Sequence, residues 1–197
     1  MSFCEPLTLR GEHVLLEPLR PEHEAALIAA ANDGELWKLW YTSVPAPAEM
    51  AGNIAERLRL QAAGSMLPFT VRTPDGRIVG ATTYMNIVAA HRRVEIGSTW
   101  YAQSVQRSAL NTEAKLLLLT HAFDVLGCIA VEFRTHWHNR RSRAAIERLG
   151  AKLDGVLRSH QIGRLGELRD TVVYSIVATE WPAVRAGLLG RLGRAAC

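Results

Sequence analysis

Glu95 is the first residue of this chain whose type and position could do chemistry. It lies inside Arg93-Val94-Glu95-Ile96-Gly97-Ser98-Thr99-Trp100-Tyr101, a run of strand-forming residues. A charged side chain in a central strand is seldom buried without a partner or a task. Two readings fit: an ion pair with Arg93 or with a neighbouring strand, or a general base. Strand alternation puts Arg93, Glu95, Gly97, Thr99 and Tyr101 on one face and Val94, Ile96, Ser98 and Trp100 on the other. Downstream, Gln106-Arg107-Ser108-Ala109-Leu110-Asn111 runs into Thr112-Glu113-Ala114 and an apolar helical stretch. A loop that delivers backbone N–H groups to a helix N-terminus is an anion site. The same residues also read as a plain helix start capped by Asn111 or Thr112. Asn139-Arg140-Arg141-Ser142 opens a second helix, with Asn139 placed to cap it.

Other chemistries find little support. Cys4, Cys128 and Cys197 are odd in number and far apart, which argues against a disulfide framework or a zinc site. Cys128 sits in an apolar run and reads as core rather than as a nucleophile. His91, His121, His136 and His138 have no metal-ligand spacing such as HExxH, so no metal is expected. Neither GxxxxGK[ST] nor a GxGxxG after a strand occurs, which sets aside two common nucleotide folds.

These residues need a scaffold to position them, and the chain supplies one. Its 197 residues fit one domain, expected over 1–197 with a tail after about residue 180. Apolar residues at 48% and charged residues at 21% describe a globular chain rather than a disordered one. No apolar run is long enough to span a bilayer and the N-terminus lacks the plan of a signal peptide, so a cytoplasmic location is the expectation. Strands are expected at 8–9, 14–19, 67–72, 78–86, 93–101, 129–136, 153–162 and 168–178. Helices are expected at 21–31, 48–63, about 112–127 and 140–149, with a helical pattern from Glu180 whose end frays. Thr73-Pro74-Asp75-Gly76 and residues 163–166 punctuate two hairpins. The order predicts an α+β fold with a mixed central sheet of about seven strands flanked by helices.

Taken in order, several segments resemble the GNAT superfamily of N-acetyltransferases, in particular its RimJ/RimL-like group. Val94-Glu95-Ile96-Gly97 is similar to the family's fourth strand. Gln106 to Asn111 resembles the pyrophosphate loop Q/R-x-x-G-x-G/A, with Ala109 and Asn111 where glycine is usual. His121-Ala122-Phe123, Asn139-Arg140-Arg141-Ser142, Leu149-Gly150-Ala151 and Asp170 to Ser175 follow in the family's order. The resemblance implies an enzyme that takes acetyl-CoA as co-substrate and transfers its acetyl group to a primary amine, either a protein N-terminus or a small amine, by direct attack. It implies that the strand at Ser98, Thr99 and Trp100 splays to meet pantetheine. Gln106, Arg107, Ser108, Ala109, Leu110, Asn111 and Thr112 would hold the pyrophosphate. Asn139, Arg141 and Ser142 would complete the coenzyme site. Glu95 becomes the base and Ser142 the acid, because the family's usual tyrosine position is Ile146 here. Trp37, Trp40 and Tyr41 would line the acceptor cleft, core packing being their other use. A homodimer is allowed.

Two further readings stay open. Only Lys38, Lys115 and Lys152 among the 23 basic residues are lysines, and the arginine-rich stretch 139–148 with a net charge of +4 suits a nucleic-acid-binding module. Ala145, Ile146 and Leu149 argue that one face of that stretch is buried. The missing tyrosine suits a non-catalytic coenzyme A-binding sensor.

Overall fold

The computed structural model describes residues 3–195, so Cys197 lies outside the described residues. The strands are β1 (Leu9–Arg10), β2 (Leu15–Pro18), β3 (Leu67–Arg72), β4 (Ile78–Val88), β5 (Arg93–Tyr101), β6 (Ala130–His136), β7 (Lys152–Ile162) and β8 (Leu168–Val177). The helices are α1 (Glu24–Asn32), α2 (Met50–Ala62), α3 (Ala109–Thr120), α4 (Arg140–Leu149) and α5 (Trp181–Arg191). One mixed sheet holds the strands in the order β1-β2-β3-β4-β5-β6-β8-β7. This is the expected α+β architecture with eight strands rather than about seven. The tight turn in which Gly11 N–H donates to Val14 O (2.8 Å) folds Leu9–Arg10 back onto β2 as a separate strand.

Only β5 and β6 run parallel; every other neighbouring pair is antiparallel. A parallel pair needs a crossover, and α3 with the wider helical turn His121–Val125 supplies it. Alternation along β4 shows how the sheet is covered. Thr83 receives a hydrogen bond from Arg57 of α2 (2.6 Å), whereas Tyr84 donates to Leu118 O of α3 on the opposite face. Phe69, Tyr84, Leu118 and Leu119 are among the side chains sealed from water. The segment after Glu180 is ordered as α5. Trp181 stacks on Phe123 at 5.3 Å and donates to Asp124, while Val184 and Leu188 are buried. Helix α4 likewise buries Ile146 and Leu149, and Gly150 ends it at φ +100°.

The alternation expected along β5 breaks at Ser98. Its φ is +47°, and the register against β4 slips between Gly97 opposite Thr83 and Trp100 opposite Ala81. A bulge adds one residue and reverses the faces beyond it. Thr99 therefore turns toward α3, where Lys115 Nζ donates to its hydroxyl (2.9 Å) and Thr82 shares a second hydrogen bond (2.8 Å). Burial pushes the Lys115 ammonium down to about 7. Glu95 and Gly97 stay on the face opposite α3, and Trp100 joins them.

Candidate active site

The sheet opens where the chemistry was expected. β5 and β6 pair only through Arg93, Val94 and Glu95 opposite Ala130, Val131 and Glu132. From Ile96 onward β5 has no β6 partner, while β6 stays paired to β8 as far as His136. The two parallel strands thus splay, and the bulged segment Ser98-Thr99-Trp100 borders the gap with backbone groups that β6 does not use. Gly97 lies at its start. A Cβ there would come within 2.8 Å of Glu95 Oε1 and 2.6 Å of Met85 Sδ, so a larger residue would push those two side chains aside.

Beyond β5 the chain reaches the N-terminus of α3, three residues earlier than expected. Ser108, not Asn111 or Thr112, is the cap: its hydroxyl accepts from Leu110 N (3.3 Å) and donates to Val105 O (2.7 Å). Ala109, Leu110, Asn111 and Thr112 are helical, and Leu110 points into the core. This removes the need for glycine at 109 and 111. The left-handed residue is Arg107, at φ +61°. Gln106 pins the loop by donating to Tyr101 O (3.0 Å). The first N–H groups of a helix lack intrahelical partners. Leu110 N–H is taken by the cap, which leaves those of Ala109 and Asn111 for an anion.

Glu95 is 5% exposed. Its carboxylate accepts from Asn86 Nδ2 (2.7 Å) and lies 3.6 Å from Arg134 Nε on β6; Arg93 pairs instead with Glu132 (3.5 Å). Burial pushes the Glu95 carboxyl above its usual range, against the opposing pull of Asn86 and Arg134. The ion-pair and base readings are compatible, since the Arg134 contact is long and partly exposed.

The expected aromatic cluster divides. Trp37 packs against the core and donates to Asn32 Oδ1 (3.2 Å). Trp40 and Tyr41 meet edge to face at 5.6 Å, and Trp40 also packs on His136 (5.0 Å) and His138 (5.5 Å) at the end of β6. Opposite them, the β7–β8 turn reaches back through Arg164, which bonds Glu49 at 2.7 Å. Asn139 caps α4 by accepting from Ser142 N (3.0 Å), and Arg141 is exposed. Ile146, at the family's usual tyrosine position, is buried in the core. Burial raises the Cys128 thiol to about 11, so it is no thiolate at neutral pH. Sequence reasoning missed Asn86, Arg134 and Arg169, and it weighed His136 only as a metal ligand. The alternation Glu132-Arg134-His136 along β6 was the available signal. A hollow of about 580 Å³ between α4 and α5 lies away from this opening.

An acetyltransferase (GNAT) domain model matches residues 13–152. YdaF of Bacillus subtilis (strain 168), whose name provisionally assigns it to ribosomal N-acetylation, is 32% identical over 107 residues; the match spans 54% of this chain and 57% of YdaF. A GCN5-related N-acetyltransferase from Brucella melitensis has a TM-score of 0.83 at 30% identity, over 94% of this chain and 85% of that one. Mycobacterium smegmatis RimJ, solved with CoA-disulfide, has a TM-score of 0.79 at 26% identity, over 98% and 97% of the two chains. The chain belongs to the GNAT acetyltransferase family, and its similarity to YdaF and RimJ is consistent with the RimJ/RimL-like group.

Proposed function

We propose that this protein transfers the acetyl group of acetyl-CoA directly to a primary amine, with an α-amine such as a protein N-terminus as the favoured acceptor. The observation that carries the reading is the splay of β5 from β6, which starts one residue beyond a buried glutamate and leads to a helix N-terminus with free N–H donors. Acetyl-CoA supplies the activated thioester. Along the splay, β5 backbone groups would bond the pantetheine amides and polarise the thioester carbonyl. Ala109 and Asn111 N–H, with the α3 dipole, would meet the pyrophosphate. The amine nitrogen attacks the carbonyl carbon, Glu95 accepts its proton directly or through a water, and the carbon–sulfur bond breaks. Ser142 hydroxyl would donate a proton to the leaving thiolate. At pH 7 roughly a tenth of α-amines are free base, against under a thousandth of lysine side chains, from pKa values near ~8 and ~10.4.

A turnover screen tests this: thiol release from acetyl-CoA with N-terminally free peptides, N-blocked lysine peptides and polyamines. Free N-termini are expected to be turned over fastest. Activity confined to lysine side chains would contradict the acceptor assignment, and coenzyme A binding without turnover of any amine would make the chain a sensor.

The α3 site has its own test. Ala109 is the first helical residue, where proline is tolerated, and Ser108 before it is extended (φ −104°, ψ 179°), as a residue preceding proline should be. Ala109→Pro therefore deletes one N–H donor and spares the helix. By calorimetry, coenzyme A affinity falls about tenfold, the scale of one charge-assisted hydrogen bond, while the unfolding temperature stays within about 2 °C of wild type. Unchanged affinity would move the phosphates elsewhere.

A further inference from the structure

We infer that His136 and Arg169 form a two-donor cradle for a carbonyl or carboxylate oxygen on the carbon next to the acceptor amine. Resting on the function proposed above, this narrows the acceptor to α-amino carbonyl compounds and excludes simple alkylamines as good substrates. His136 is 4% exposed at the end of β6. Its Nδ1 lies 3.0 Å from the His138 N–H and accepts from it, so a neutral ring carries its proton on Nε2. Burial lowers the imidazole below its usual range, with the Arg169 charge adding to that, and the neutral form prevails. The Nε2 donor is buried and, among the described residues, has no hydrogen-bond partner.

Arg169 of β8 repeats the pattern. Its Nε is buried and without a partner, and among the described residues its guanidinium makes no salt bridge. The register pairs His136 with Thr171, so Arg169, two residues along β8, projects from the same face. Glu95, on that face of β5, is close enough for the two charges to act on each other. The Arg169 charge thus acts on both His136 and the candidate base.

Neighbouring carboxylates do not answer these donors. Asp170 accepts from Ser159 N (2.7 Å) and Arg158 (2.6 Å), Glu167 from Leu165 N (2.9 Å), and Glu95 from Asn86 (2.7 Å). Thr171, also close, already shares a hydrogen bond with His160 (3.1 Å). Native proteins rarely leave buried donors unpaired unless a ligand completes them. Here two unpaired donors share one face, Trp40 packs on His136, and the base stands on the same face. An oxygen with two lone pairs can accept from both donors, and a covalent neighbour of that oxygen would bring its amine toward Glu95. A site built to hydrogen-bond a substrate group rejects analogues that lack it.

The test compares acetylation of alaninamide, alanine and isopropylamine by wild type, His136→Leu, His136→Gln and Arg169→Met, with coenzyme A affinity as the control for folding. Each variant is compared with wild type on the same acceptor, so differences in amine basicity cancel. His136→Leu and Arg169→Met are each expected to lower kcat/KM about tenfold more for alaninamide than for isopropylamine, whose own change with Arg169→Met reports the loss of that charge near Glu95. His136→Gln, which keeps an N–H, recovers most of the loss. A larger Arg169→Met effect with alanine than with alaninamide supports the cradle and identifies its natural guest as a carboxylate; the reverse supports it with an amide. Equal losses on all three acceptors, or none, would overturn the cradle while leaving acetyl transfer intact. No turnover of any acceptor by wild type, with coenzyme A still bound, would overturn the proposed function and the cradle with it.

Discussion

Glu95→Gln lowers kcat by at least tenfold at neutral pH, toward the roughly 10²–10⁴-fold that a positioned base supplies. Glutamine keeps the shape and can still meet Asn86, so lost basicity is the main change. The pH profile carries the sharper signal. Burial holds the Glu95 carboxyl above the ordinary carboxylate range, so wild-type kcat falls as pH drops through that raised value. Glu95→Gln lacks this limb, and its deficit shrinks at alkaline pH, where free amine is abundant. Stability moves the other way. A carboxyl raised on folding contributes stability that is fully present below its unfolded value of about 4.3 and is lost as pH rises through the folded value. At neutral pH Glu95→Gln should therefore unfold at or above the wild-type temperature. An unchanged pH–rate profile, or a variant that simply melts early, would leave Glu95 a structural partner of Asn86 and Arg134.

Glu113→Ala destabilises the protein by about 3–5 kcal/mol, the scale of breaking a buried charge network, and lowers the unfolding temperature by roughly 6–20 °C at two to four degrees per kcal/mol. Glu113 of α3 is fully buried. It accepts the backbone N–H groups of Glu12 (3.1 Å) and His13 and the guanidinium of Arg194, which also reaches Glu12 at 3.1 Å. One carboxylate therefore ties the turn between β1 and β2 and the segment after α5 to the helix whose N-terminus the coenzyme would meet. The turn closes around it so tightly that a side chain at Gly11 would strike the carboxyl group. Burial alone would raise this carboxyl, but the His13 N–H, Arg194 and the Glu12 N–H outweigh it and hold it below its usual range. Such a group contributes stability that is present above about 4.3 and lost as pH falls through the folded value. The gap between wild type and Glu113→Gln, followed by thermal unfolding, should narrow in acid. Arg194→Ala should cost only about 1 kcal/mol, because the turn's two N–H groups keep their acceptor. A Glu113→Ala protein with the wild-type unfolding temperature would show that the β1–β2 turn and the segment after α5 are held by packing alone.

Much of this protein could be read from its sequence by local rules. Alternation gave β5 as 93–101, Asn139 and Gly150 bounded α4, and Thr73-Pro74-Asp75-Gly76 marked the β3–β4 hairpin, because such signals lie within a few residues of one another. A charge at 95 in a strand and an apolar position at 146 were equally legible. The tertiary structure decided what depends on residues far apart in the chain. The bulge at Ser98 follows from pairing with β4 and from Lys115 of α3, so the reversal of faces beyond it had no local trace. The Ser108 cap, by contrast, is local, its hydroxyl donating to Val105 O and accepting from Leu110 N, and the sequence reading placed it three residues late. Arg134, His136 and Arg169 came onto the same face of the sheet as Glu95 only when the parallel crossover set β6 against β5 and β8 against β6. Local propensity sees a few residues along the chain, whereas an active site on a sheet is assembled from strands whose neighbours are chosen by the packing of the whole domain.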